Sequence, residues 1–208
     1  MGKIWEQLLH ISGGRLELSK CFWVPIVWKW RNGRPYCSGE TTGRHKELIL
    51  KESETKEDII IPKRRSKDAE KRLGVWSNCE HTWSKEYNTW MEFSKIFAGK
   101  VKRAGLHRVA GYHAYHAIWL AKFRYSAPMI GITSNQVKKI YTGVLSSCLS
   151  AGGYSNKMPR AVVFGPTILG GMDWNNPLII YLHEKIKMLV GSIRLKDTVG
   201  RLMLMQIS

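Results

Sequence analysis

Apolar and polar positions alternate along the first third of the chain and then change period. From Cys21 to Trp30 the even positions are Phe22, Val24, Ile26, Trp28 and Trp30, and Asn32-Gly33 follows. Alternation places one set of side chains on one face of a strand, and Asn-Gly supplies the two positive-φ residues of a type I′ turn. The pattern therefore predicts a strand, a turn and a return strand. Glu47 to Lys51 (ELILK) and Asp58 to Ile61 (DIII) flank the charged segment Glu52 to Glu57 and predict a second hairpin ending at Pro62, whose ring offers no donor to a ladder. After the basic Lys63-Arg64-Arg65 run, Leu73-Gly74-Val75-Trp76 reads as a further short strand.

Beyond Trp83 the period shifts toward 3.6. Phe93, Ile96, Phe97 and Val101 share one helical face, and Val137, Ile140, Tyr141, Val144, Leu145 and Cys148 share another. The second helix opens after Thr133-Ser134-Asn135-Gln136, whose Thr-x-x-Gln spacing permits a capping box, and ends before Gly152-Gly153. Pro177, preceded by Asn175-Asn176 as caps, starts a third pattern of Ile179, Leu182, Ile186 and Leu189 that runs to Gly191 and predicts a terminal helical layer. Ile4, Trp5, Leu8, Leu9 and Ile11 also fall at near-helical spacing before Gly13-Gly14 stops them. The expected fold is α+β, a short antiparallel sheet at the N-terminal end followed by a helical region, joined tightly near residues 77 to 90 because no low-complexity linker intervenes.

Charge adds a partner to this picture. In 208 residues, Lys and Arg number 33 against 16 Asp and Glu, a formal charge of +17. No acidic residue occurs between Glu92 and Asp173, a stretch that holds eleven Lys and Arg. Such an asymmetry projects a positive field from one half of the molecule and calls for a polyanion, nucleic acid first. A solvated basic face that only aids solubility is the plainer alternative.

Other chemistry is thinly represented. The four cysteines, at 21, 37, 79 and 148, show no CxxC spacing, which suits reduced thiols and an intracellular location, cytoplasm or nucleus. Neither a signal peptide nor a run of about 18 apolar residues is present, so no membrane partner is expected. Cys79-Glu80-His81 and His113-Ala114-Tyr115-His116 lack an established zinc spacing, and no metal site is expected. No local signature pairs a cysteine with a histidine as a nucleophile. Gly165-Pro166 and Gly170-Gly171 lack the GxxxxGK[ST] pattern and read as turns.

Several segments in order carry a resemblance. Trp5-Glu6-Gln7-Leu8-Leu9, then Ser12-Gly13-Gly14-Arg15-Leu16-Glu17-Leu18-Ser19-Lys20-Cys21, resembles the helix-turn-strand that follows the catalytic aspartates of retrotransposon reverse transcriptases. Ala69-Glu70-Lys71-Arg72-Leu73-Gly74-Val75 is similar to the Leu-Gly strand of the primer grip. Ala114-Tyr115-His116, Tyr125-Ser126-Ala127-Pro128, the run Gly153 to Pro166 (GYSNKMPRAVVFGP) and Gly170-Gly171 continue the likeness through nearly the whole chain, closer to non-LTR elements than to retroviruses.

The resemblance implies a division at residues 1–80, palm-end and primer-grip-like, and 81–208, helical and thumb-like. It implies that Lys20 is the palm lysine, which donates a proton to leaving pyrophosphate. Leu73 and Gly74 would position the primer terminus. Lys100, Lys102, Arg103 and Arg108 would neutralise duplex phosphates, with Lys157 and Arg160 adding to the basic face, and Tyr115 or Tyr112 would stack on sugars or bases. The family's metal-binding carboxylates lie upstream of the helix containing Trp5, and no Asp-Asp pair occurs here. Two-metal phosphoryl transfer needs such carboxylates, so Mg²⁺ is expected only with the missing palm aspartates and no cofactor with this chain alone. Three functions fit: a fragment of an RNA-directed DNA polymerase that binds primer-template and takes its palm from a longer chain, a stand-alone basic nucleic-acid-binding module, or a decayed open reading frame without activity.

Overall fold

The computed structural model describes residues 11, 17, 21–25, 27–38, 47–51, 58–195, 200 and 201. It is α+β, with short antiparallel hairpins on the N-terminal side followed by helices. The chain divides into two compact units, residues 1–70 with 78–82, and residues 71–77 with 83–208.

In the first unit, β1 (Val27–Arg31) pairs with β2 (Arg34–Ser38), closing at Arg31 opposite Arg34. Asn32 and Gly33 take φ of 51° and 72°, the paired positive values a type I′ turn requires. The strand begins later than the alternation predicts. Pro25, inside the predicted run, has no N–H for a ladder, and Trp23 instead makes a single parallel bridge to Lys63. β3 (Leu48–Lys51) pairs with β4 (Asp58–Ile61), and Leu50 and Ile61 form a small core with Cys21, Trp23 and Ile59. Polar staples add order: Ser66 Oγ donates to Glu80 Oε1 at 2.7 Å, and buried Asn78 accepts from the Thr82 amide at 2.9 Å and donates to Lys67 O at 3.1 Å.

Next comes a hairpin of β5 (Glu70–Arg72) and β6 (Val75–Ser77), which from Lys71 to Ser77 belongs to the second unit. Leu73 and Gly74, expected within a strand, are its two turn residues, with φ of 48° and 88°. A Leu in the left-handed region is uncommon, so an apolar Leu-Gly pair reads as strand from pattern alone.

α1 (Ser84–Arg103) follows, ending where Ala104 N–H returns to Lys100 O and Gly105 takes positive φ. Its buried stripe is Trp90, Ser94, Phe97 and Val101, whereas Ile96 is exposed. α2 (Arg108–His113) runs through a π-helical segment (Ala114–Leu120) into α3 (Ala121–Ser126). Successive turns stack Tyr115 on Trp119 (5.8 Å, 18°) and Trp119 on Phe123 (5.4 Å, 6°). Trp90 meets Trp119 and Phe123 edge-on, and the Trp119 indole N–H donates to Ser94 Oγ at 3.0 Å.

α4 (Ser134–Ala151) has the capping box its sequence announces: Gln136 N–H donates to Thr133 Oγ1 at 3.3 Å and Thr133 N–H to Gln136 Oε1 at 2.8 Å. All six predicted apolar positions are buried. α5 (Arg160–Phe164) leads through a 3₁₀ turn to α6 (Pro177–Leu195). Asn176 Oδ1 caps α6 by accepting from Leu178 N–H, but the predicted face is reversed: Ile179, Leu182 and Ile186 are exposed, while Tyr181 points inward. The Tyr181 hydroxyl donates to Ile132 O at 2.8 Å and accepts from Ile132 N–H at 3.2 Å, a demand that sets the helix's rotation.

Candidate nucleic-acid interface

α1 and α4 pack side by side, and a groove of about 690 Å³ runs along their seam. Ser94, Ala98 and Gly99 from α1 and Gly143 and Ser147 from α4 lie along it, with Lys95, Lys102, Lys139 and a single carboxylate, Glu92, among its lining. A Cβ built on Gly99 or Gly143 would meet no atom within 4 Å. These glycines are not needed for helix packing, and each costs helix stability of about 1 kcal/mol relative to Ala. A second depression of about 670 Å³ adds Ile96 and Arg103 to Glu92, Lys95, Gly99 and Lys102.

Of the basic residues expected to meet phosphate, Lys102 and Arg103 line this surface, while Lys100 is exposed in the same last turn of α1. Cations there also offset the partial negative charge of the helix end. Lys95 and Lys139 were not singled out from sequence, although the seven-residue spacing of Lys95 and Lys102 puts both on one helix face.

Three other cations in the acid-free stretch, Lys122, Arg124 and Arg108, make contacts within the second unit. Lys122 Nζ sits 3.6 Å from the Phe93 ring centre, and Arg124 is paired with Glu184. Arg108 lies over the Tyr154 ring at 4.7 Å, with Nε donating to Gly152 O at 3.4 Å. One terminal nitrogen of Arg160 is buried with no hydrogen-bond partner among the described residues. Lys157 is exposed in the loop before α5.

Tyr115 requires a correction. Its ring is fully buried in the aromatic stack and its hydroxyl donates to Asn175 O at 3.0 Å, so it has no face to offer a base. Burial also pushes its phenol well above the ordinary range, holding it neutral. Tyr112, one turn earlier, is 38% exposed.

The Leu73–Gly74 turn stands apart from the groove in character. Tyr125 Oη donates to Leu73 O, and the buried carboxylate of Glu86 accepts from Trp76 N–H at 2.8 Å. Lys85 Nζ lies 3.5 Å from the Trp76 ring centre. Anchored by these contacts, the turn presents Leu73 78% exposed.

Lys20 lies outside the described residues. Among the described residues, no three His, Cys, Asp or Glu side chains are grouped to hold a metal ion, and no helix is long and apolar enough to cross a membrane. Set against protein-family models, curated proteins and solved structures, the chain matches none.

Proposed function

We propose that the chain binds primer-template nucleic acid as the primer-grip and thumb side of a retroelement reverse transcriptase, with the α1–α4 groove as its phosphate-binding surface. The carrying observation is the clustering of Lys95, Lys102 and Lys139 around an open, small-residue seam with one carboxylate among them. Lysines around a groove in which small residues alternate with Met91, Ile140 and Val144 let a phosphate backbone approach and exchange condensed counterions for protein charge. The exposed, anchored Leu73 supports the primer-grip part of the reading, since a left-handed leucine that buries nothing gains its contact from outside. Polymerisation would further call for palm aspartates, and Mg²⁺ would be held by them.

The experiment is a salt titration of duplex affinity with Lys95→Gln, Lys102→Gln and Lys139→Gln combined. Each lost phosphate contact should lower the log–log salt slope by about 0.9. An unchanged slope sinks the groove assignment. A second reading, a self-sufficient binding module, is favoured by the groove lying wholly within the second unit. Primer extension on mixing with a palm-bearing reverse transcriptase fragment supports the polymerase reading, and duplex binding without it supports the module.

A further inference from the structure

A different concavity, of about 360 Å³, is lined by Arg108, Val109, Tyr112, Tyr154, Met172 and Trp174, with Gly171 in its wall. Its volume lies within the range of about 300–1,000 Å³ typical of small-ligand sites. Tyr112, Tyr154 and Trp174 give it an aromatic lining, and among the described residues no carboxylate lines it. Asp173 falls between two lining residues in sequence without contributing to the lining.

The pocket is built rather than left over. Its wall is held where Met172 N–H reaches Val162 O at 2.9 Å, Asp173 N–H reaches Gly165 O at 2.8 Å, and Trp174 N–H reaches Val163 O at 3.0 Å. Position 171 must be glycine there, because a Cβ would stand 2.1 Å from Gly165 O. On the other side, His116 fixes Tyr112: the rings are 4.0 Å apart, His116 Nδ1 lies 3.1 Å from Tyr112 O, and Nε2 accepts from Asn175 N–H at 3.2 Å. Trp174 meets the Tyr112 ring edge-on at 5.7 Å. The Arg108 guanidinium lies over the Tyr154 ring and, among the described residues, is tethered through Nε, so its planar terminal amino groups can receive an anion or a base edge.

We infer that this pocket takes one unpaired nucleobase of a nucleic-acid strand, stacked on the tyrosine rings, with Arg108 contacting its edge or adjoining phosphate. The choice of an unpaired base follows from the surface on offer. Bases within a duplex show only their edges, whereas flat aromatic side chains need a free face. The Arg108 charge would also attract an acidic peptide, but only a base answers both the rings and the guanidinium. The inference rests on the nucleic-acid reading above while using different residues, so the two can fail separately.

The test compares a duplex carrying a short single-stranded overhang with the same duplex whose overhang is abasic, and with a blunt duplex, using 2-aminopurine as the overhang base. The base-bearing overhang should bind about tenfold tighter than the abasic one, with quenched 2-aminopurine emission, as one base–aromatic stack provides. Tyr112→Leu, which keeps apolar packing, should bring the two overhangs to equal affinity, and Tyr112→Phe should restore the difference. Arg108→Gln should narrow it more than Arg108→Lys does. Equal affinity of base-bearing and abasic overhangs for the unmutated protein overturns the inference, as does an advantage that survives Tyr112→Leu in a variant whose thermal unfolding is unchanged. Failure to bind blunt duplex with the base advantage intact supports the pocket and removes the groove.

Discussion

The Tyr125 hydroxyl donates to the carbonyl oxygen of Leu73 at 2.9 Å, tying the third helix to a turn 52 residues earlier in the chain. The turn oxygen would otherwise face solvent on a hairpin of only three residues per strand. Tyr125→Phe should cost about 1 kcal/mol, the net worth of one hydrogen bond, and should speed hydrogen exchange of the Val75 amide. Unchanged exchange would show that the Glu86 contact to Trp76 holds the hairpin unaided.

Leu73 carries a conformational cost because its φ is 48°. An L side chain other than Asn or Asp in this region is disfavoured by roughly 1–2 kcal/mol. Leu73→Asn should therefore stabilise the protein and raise Tm by about 2–4 °C if it recovers about 1 kcal/mol, while weakening primer-template binding. A lower Tm in differential scanning calorimetry would contradict the strain.

Ser94 is a polar residue in the buried stripe of α1, and its hydroxyl is the acceptor for Trp119 Nε1–H. Ser94→Ala strands a buried donor and should cost about 1–3 kcal/mol. Trp119→Phe in the same background removes the donor, so denaturant titrations of the two single variants and the double should show strong non-additivity. Simple additivity would mean that water satisfies the indole in the Ser94→Ala protein.

Buried Cys148 and half-buried His116 both contribute pH dependence to the unfolding curve. Burial pushes the Cys148 thiol up to about 12 from the ordinary 9.0. Its contribution to stability is thus complete below pH 9 and is lost as pH rises toward 12, because only the unfolded chain releases the proton. Cys148→Ala should flatten the alkaline limb of the stability profile, and the thiol should resist alkylation until the protein unfolds. Burial lowers His116 below its ordinary 6.5, partly opposed by its bond to the Tyr112 carbonyl. That contribution is present above pH 6.5 and is lost as pH falls through the depressed value, when Nε2 can no longer accept from Asn175 N–H. Stability measured at about pH 5 should fall less in His116→Gln than in the unmutated chain.

Local chemistry explains which elements could be read in advance. Thr133 and Gln136 cap α4 through contacts three residues apart, and its six apolar positions face one core. Asn32-Gly33 closes β1 onto β2 for reasons contained in two residues. Rotation of α6 could not be read this way, because Tyr181 turns inward to satisfy Ile132, about fifty residues earlier in the chain. Hydropathy likewise points Ser94 outward and Ile96 inward, and the indole of Trp119 reverses both. For the candidate sites, charge asymmetry marks a stretch of chain but not the choice among its cations, which depends on Lys122 and Arg124 being engaged by Phe93 and Glu184. The aromatic pocket draws on α2, the loop at Tyr154 and the segment 171–174, so no single window of sequence contains it.

The distribution of tryptophans gives the molecule its own optical labels. Trp28 and Trp30 on β1 are 63% and 72% exposed, while Trp90, Trp119 and Trp174 are buried in the second unit's core. Acrylamide will extinguish the red-shifted light of the hairpin indoles at once and leave the blue emission of the core. Followed through a denaturant series, growth of the quenchable fraction at the expense of the protected one reports the opening of the second unit's core in a single cuvette, with no dye attached.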